Sequence, residues 1–506
     1  MSQLLKRSEV PTEQTWKLED LFADQKAWDQ EYEEVSSLTK KASEFQGKLN
    51  KPEALKNCFE LEDEISLKTE RLFVYARMHQ DEDTANPTYQ NLSQKAQKLS
   101  VQVGEALSYV TPEILSLPDD QLDALISNEK LSAYKFTLEE MKREKAHVLS
   151  QAEEALLAQV GNLSQAPQTI FSMLNNADLK FPKIKDEHGK EVELTHGSYI
   201  QFLENPNREV RERAFKAVYE TYAKQKNTIA AALNANVTKN MFYADVRKYP
   251  SVMDMSLYGD NIPKDVYTNL VDTIHESLPL LHRYMDLRKK LLGVDKLHMY
   301  DLFAPLVDEY KMDITYEEAK QTVKDGLKPL GKDYADALQA GYDDRWIDVY
   351  ENENKRSDQF RTTVFRQTMF AEFEKIIHER AEQGEALTPQ LLSEIYYDLN
   401  VKYHGDSMVV DKDIEMEWAR IPHFYNSFYV YKYATGFSAA TSFSKQILEE
   451  GQPAVDRYLG FLKSGGSDYS INILKKAGVD MSTPEPIREA MSVFKELIEQ
   501  MEQLTK

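Results

Sequence analysis

Apolar residues that return every three or four positions over most of the chain most restrict what this sequence can fold into. That spacing lines one face of an α-helix and no face of a strand. Trp28, Tyr32, Val35 and Leu38 mark such a face, preceded by Asp24 as an N-cap, and residues 52 to 111 continue in the same style. Asn205-Pro206 predicts a cap with proline in the first helical position, opening one long stripe from Val210 through Tyr222 to Leu233. After Asn261-Ile262-Pro263 a further helix carries Val266, Leu270, Ile274 and Leu278 until Pro279 bends or ends it. Strand signals are confined to Ile184–Leu194, where Ile184, Val192 and Leu194 flank the turn cluster Asp186-Glu187-His188-Gly189 and predict a hairpin.

The expected fold is therefore mainly α, a large helical body with a small β-hairpin near 183–194. With 506 residues there is room for about three domains. The punctuation at Thr111-Pro112 and Pro182 suggests residues 1–111, 112–182 and 183–506. Only 18 glycines and 18 prolines, with 42 % hydrophobic residues, indicate a chain that folds throughout.

Charge narrows the partners. Lys and Arg total 62 against 84 Asp and Glu, a formal net charge of -22 that would repel a phosphate backbone, so no nucleic acid is expected. No stretch approaches the ~20 apolar residues that span a bilayer, and the N-terminus has no apolar signal core, so a soluble, unsecreted protein without membrane contact is expected. Cys58 is the single cysteine, which fits a reducing cytoplasm, excludes cysteine-based metal cages and reads as a small buried hydrophobe.

Local motifs mostly exclude. Gly326-Leu-Lys-Pro-Leu-Gly331-Lys332 has phosphate-loop spacing, but Asp333 replaces the metal-binding hydroxyl and helical patterns flank it. Ser464-Gly465-Gly466-Ser467 reads as a turn between helices, and no Gly-x-Ser-x-Gly elbow occurs. A helical zinc site wants two histidines at i and i+4, yet no two of the ten are closer than seven residues. His275 and His282 are separated by Pro279, which is expected to break their shared face, and His378-Glu379-Arg380-Ala381-Glu382 reads as a solvated helix face.

The densest stretch is Arg420-Ile-Pro-His423-Phe-Tyr425-Asn-Ser-Phe428-Tyr429-Val-Tyr431-Lys-Tyr433-Ala-Thr-Gly436. It is either an aromatic core helix or a set of hydroxyls and an imidazole converging on a cleft, where they could donate to a developing oxyanion and hold a peptide backbone.

This block resembles the corresponding part of oligoendopeptidase F, a bacterial branch of the thimet oligopeptidase family of zinc metallopeptidases. So do Trp16-Lys-Leu-Glu-Asp-Leu21-Phe22, the stretch from Asn205 to Asp260, Arg283 to Gly293 and Gln359 to Phe370, and together they cover nearly the whole length. The resemblance implies a helical shell around a deep channel that admits short peptides, zinc-dependent hydrolysis of their internal bonds, and a cytoplasmic role in peptide turnover. It aligns His423 and Tyr431 with the histidine and tyrosine that stabilise the tetrahedral intermediate, and Tyr425 and Tyr429 with substrate-gripping positions.

One departure stands against these matches. The family carries His-Glu-x-x-His and a later glutamate between a segment like Asp344–Ser357 and one like Asp358–Arg361, whereas here Ser357 abuts Asp358. The sequence thus contains no zinc ligands. Two expectations follow: an oligoendopeptidase whose segment is missing from this sequence only, with Ser357 and Asp358 farther apart than the ~3.8 Å of bonded Cα atoms, or a non-catalytic helical peptide-binding protein.

Overall fold

The structure is a computed structural model that describes residues 7–84, 86–306, 314–348 and 359–505. The Ser357–Asp358 junction lies outside the described residues. The chain divides into two compact units, one of Met1–Val148 with Lys324–Asn354, the other of Leu149–Val323 with Lys355–Lys506.

In the first unit, helices α1 (Gln25–Ala42), α2 (Pro52–Glu82) and α3 (Pro87–Leu107) pack against one another. Asp24 caps α1 as expected, its carboxylate accepting from the Ala27 N–H at 2.8 Å. Trp28, Val35, Ile65, Leu72 and Leu99 form the core between these helices, and the Trp28 indole donates to the Leu72 carbonyl at 3.0 Å. Cys58 is buried, with Sγ 3.7 Å from the Tyr109 hydroxyl. Gly331, at φ 85°, joins the short turn Lys328–Leu330 to the helix Lys332–Asp343, so the phosphate-loop spacing is a linker between helices.

The second unit holds the larger core. Its hairpin is two residues per strand, β1 (Ile184–Lys185) antiparallel to β2 (Glu191–Val192), with Ile184 opposite Val192. Asp186 closes the turn by accepting from the N–H groups of His188 and Lys190 at 3.0 and 2.8 Å. Among the described residues, the only other bridge pairs His298 with Val409.

Two helical expectations need correction. The stripe beginning at Asn205 is two helices, α4 (Arg208–Lys224) and α5 (Lys226–Val246), interrupted at Gln225. The cap is Asn207, because the Asn205 side chain instead accepts from the Asn207 N–H and forms a turn before the helix. Pro279 does not end its helix: α6 (Lys264–Leu291) runs through it. An interior proline costs about 3 kcal/mol, but Leu270, Ile274, Leu278, Leu281 and Met285 all stay buried on one face. At roughly 1.5–3 kcal/mol for each large apolar side chain, their burial outweighs the lost hydrogen bond.

Packed around α6 are α7 (Arg366–Glu382), α8 (Pro389–His404), α9 (Tyr431–Glu450) and α10 (Glu485–Leu504). Helix α8 ends at Gly405, whose φ is 57° and where a Cβ would lie 2.7 Å from Cε1 of His282, so no other residue fits without displacing that ring. No described helix is long and apolar enough to cross a membrane.

Candidate functional site

The aromatic block is neither one core helix nor one exposed surface. A short 3-10 helix, Lys412–Arg420, delivers Trp418 and Glu417 to the interior, and a second turn, Pro422–Tyr425, follows. Pro422 fixes the entry into that turn, and Asn426 closes it by donating to the His423 carbonyl at 2.8 Å. Phe428 then adopts φ 55°, a left-handed conformation that bulky residues rarely take, before α9 begins at Tyr431.

This reversal sorts the side chains. Phe424, Tyr425, Phe428 and Tyr431 face the core, whereas Tyr429 and Tyr433 are 36 % and 37 % exposed. His423 joins the outward pair. Its ring stacks near-parallel to Tyr429 with centroids 6.3 Å apart, and the Tyr433 hydroxyl lies 3.2 Å from its Nε2. Partial burial, with the nearby Arg366 charge, holds the His423 imidazole below its usual pKa, so it is neutral at pH 7.

Of the four candidates from the sequence, the structure brings together His423 and Tyr429 and separates the other two from them. Tyr431 is 2 % exposed and packs on Tyr267 with centroids 5.1 Å apart. Tyr425 stacks on Phe171 at 4.6 Å, and its hydroxyl has no hydrogen-bond partner. Burial raises both phenols. Tyr433 is the residue that sequence reasoning missed. The signal was the four-residue step from Tyr429 to Tyr433, which puts both rings on one side, edge to face at 5.5 Å, while Tyr431 between them points away.

Behind the loop, α5 and α7 supply the supports. Asn236 donates to the Phe424 carbonyl at 3.2 Å, and Asn240 donates to Ser427 Oγ. His378 corrects the reading of its stretch as a solvated face. Glu379 and Arg380 are exposed, but His378 is 1 % exposed, since it follows Glu374 by one turn on the buried side of α7. Its Nδ1 bonds the Glu374 carbonyl at 2.8 Å, Ser427 Oγ lies 3.4 Å from its Nε2, and burial depresses its pKa to about 4. Glu374 is fully buried, no side chain bonds its carboxyl, and desolvation, opposed only by the Phe428 backbone N–H, pushes its pKa well above the usual range, so it is held as the neutral acid.

Deeper still, Glu417 accepts from Arg366 at 2.6 Å and from the Tyr396 hydroxyl at 2.5 Å, with Arg420 at 3.9 Å. These charges keep it below the usual carboxylate range against the opposing effect of burial.

His275 and His282 both lie on the unbroken α6, contrary to the expected break at Pro279, but they serve different partners. His275 Nε2 is 2.7 Å from Glu372, and His282 Nε2 is 3.0 Å from the Tyr403 carbonyl. Seven residues along a helix is about 10 Å, too far for two ligands of one ion. Among the described residues no group of three or more His, Cys, Asp or Glu is placed to hold a metal ion, so the described residues do not fit zinc.

The model of peptidase family M3 matches residues 201–364 and again 357–493, two stretches that meet beside the Ser357–Asp358 junction, and the Oligopeptidase F model matches 113–181. Oligopeptidase PepF of Bacillus subtilis is 44 % identical, over 99 % of this chain and 89 % of its own length. That alignment runs over 595 positions against 506 residues here, so at least 89 positions face no residue of this chain. The crystal structure of oligoendopeptidase-F from Enterococcus faecium superposes with a TM-score of 0.77 at 39 % identity, covering 94 % of this chain and 98 % of that one. A structure described as a candidate peptidase from Chlamydophila abortus gives a TM-score of 0.88 at 29 % identity, over 99 % and 100 % of the two chains.

Proposed function

The chain belongs to peptidase family M3, and on that premise we propose that it grips short, unstructured peptides on the wall formed by His423, Tyr429 and Tyr433. Hydrolysis of their internal bonds belongs to it only together with a zinc-binding segment inserted between Ser357 and Asp358. The observation that carries this reading is the neutral His423–Tyr433 pair. The Tyr433 hydroxyl also bonds the Tyr429 hydroxyl, so His423, Tyr433 and Tyr429 form one chain, and whichever way its two bonds run, one of the three donors is left to meet a peptide carbonyl. Tyr429 adds an exposed aromatic face beside it.

A form that cleaves would direct the same free donor at the oxygen of the tetrahedral intermediate, where one such donor is worth about 10²-fold in rate. No group among the described residues fits the metal, so on this reading the chain as it stands acts as a peptide-binding member of the family, in the cytoplasm. The excess of at least 89 aligned positions and the two family matches that adjoin at residues 357–364 support a segment missing at this junction, which both forms share as their premise.

Intact mass, zinc content and cleavage of a mixture of short peptides, all measured on one preparation, test the reading. A chain at 58.5 kDa should carry no stoichiometric zinc and bind peptides without cutting them. Cleavage by a chain of that mass would overturn it. A mass larger by a whole segment, with one zinc and cleavage, would assign hydrolysis to the longer form.

A further inference from the structure

Glu417 is one carboxylate shared by two guanidinium groups. Arg366 donates to its Oε1 at 2.6 Å, Arg420 lies 3.9 Å from the same oxygen, and the Tyr219 hydroxyl is 3.4 Å away. Its Oε2 is taken by the Tyr396 hydroxyl at 2.5 Å. Among the described residues no other carboxylate lies within 4.0 Å of either arginine. The cluster therefore carries one positive charge in excess.

That charge is neither fully buried nor free on the surface. Glu417 keeps 8 % of its side-chain surface, but Arg366 keeps 26 % and Arg420 22 %, so the two arginine side chains stay in contact with solvent while the carboxylate that balances them is shut in. Each cation is laid on an aromatic face, Arg366 over Phe370 at 4.3 Å and Arg420 over Tyr199 at 5.0 Å, which fixes its plane without neutralising it.

The cluster also adjoins the peptide wall. Phe370 packs edge to face on Phe424, the residue after His423, and Arg420 ends one 3-10 helix three residues before His423, across the extended Ile421. A structural ion pair alone needs one arginine for one carboxylate. A second guanidinium, on a half-buried side chain held in place next to the donor pair, is the arrangement that captures a carboxylate in a fixed position.

We propose that Arg366 and Arg420 form a carboxylate subsite for the peptide held by His423 and Tyr433. The subsite takes either the free C-terminal carboxylate or an acidic side chain at the same distance from the wall. The inference rests on the peptide-binding reading above and names the substrate feature that reading leaves open.

Binding of one labelled short peptide to the full chain, in three forms, tests it: free C-terminal acid, C-terminal amide, and amide with a glutamate at the last position. The acid should bind about tenfold tighter than the amide, the strength of a good charge-assisted pair, and the advantage should shrink with added salt. Recovery of tight binding by the glutamate peptide would extend the subsite to side chains, and failure to recover would confine it to the C-terminus. Arg366→Gln should reduce the acid-over-amide preference to less than twofold, and Arg366→Lys should retain part of it.

If Arg366→Gln does not fold, the acid and amide comparison on the unaltered chain decides alone. Equal binding of acid and amide overturns the subsite and leaves the peptide wall standing. Binding of none of the three peptides overturns both.

Discussion

The Tyr433 hydroxyl sits 3.2 Å from Nε2 of His423 across the turn that buries Phe428, so two residues ten apart in sequence act as one hydrogen-bonding unit. Replacing Tyr433 by Phe removes one member of the unit and leaves the ring. Peptide affinity should fall about 5- to 10-fold, the cost of one such hydrogen bond, with little change in melting temperature. Tyr431→Phe should leave affinity unaltered, because that ring lies against Tyr267. Titration calorimetry on both variants checks the pair. Loss of binding in Tyr431→Phe alone would return the role to Tyr431.

Glu374 gives a stability signature of known sign. Burial raises its pKa in the folded state, so its contribution is fully present below the unfolded value and is lost as pH rises through the folded one. Glu374→Gln, neutral at every pH and of the same shape, should melt above the parent chain at pH 8 and level with it near pH 4. A constant difference across that range would show that Glu374 is ionised in the fold.

The buried imidazoles act in the opposite sense. His378 and His404 are both depressed to about 4 by desolvation, so below pH 6.5 the unfolded chain binds protons that the folded chain refuses. Stability should fall from about pH 6.5 toward pH 4, by on the order of 1–2 kcal/mol per histidine at pH 5. Urea unfolding at pH 7 and pH 5 measures it, and His378→Asn should flatten the slope.

Glu417 separates two kinds of loss. Glu417→Ala leaves two half-buried guanidinium groups uncompensated and should cost on the order of 3 kcal/mol. Glu417→Gln keeps an acceptor for the Tyr396 hydroxyl and should cost less. Denaturant midpoints rank the two, and equal losses would show that packing, not charge, fixes this position.

The helical architecture was legible because three-and-four spacing is a local property: Trp28 and Val35 announce a buried face without reference to anything distant. Pro279 was misread for the same reason, since the packing that carries α6 through it comes from residues far along the chain. In the aromatic block the composition was legible but the direction of each ring was not. Period-four spacing alone could have paired Tyr429 with Tyr433, yet the reversal at Phe428 that turns Tyr431 inward is a backbone choice with no sequence mark, as no glycine stands there. The link from Arg366 through Glu417 to Arg420 spans 54 residues and two elements, so nothing local could reveal it.

The left-handed backbone at Phe428 costs about 1–2 kcal/mol, and the ring that holds it there lies 5.7 Å from Tyr267 and 4.9 Å from His378, inside the core. The spacing of the outward side chains is thus set by the interior, before any peptide arrives. A surface preset in this way loses little freedom on binding and cannot remould itself around a guest. On the proposed reading such a wall would respond to where a peptide's backbone groups fall more than to the side chains beside them, a template that selects by extension.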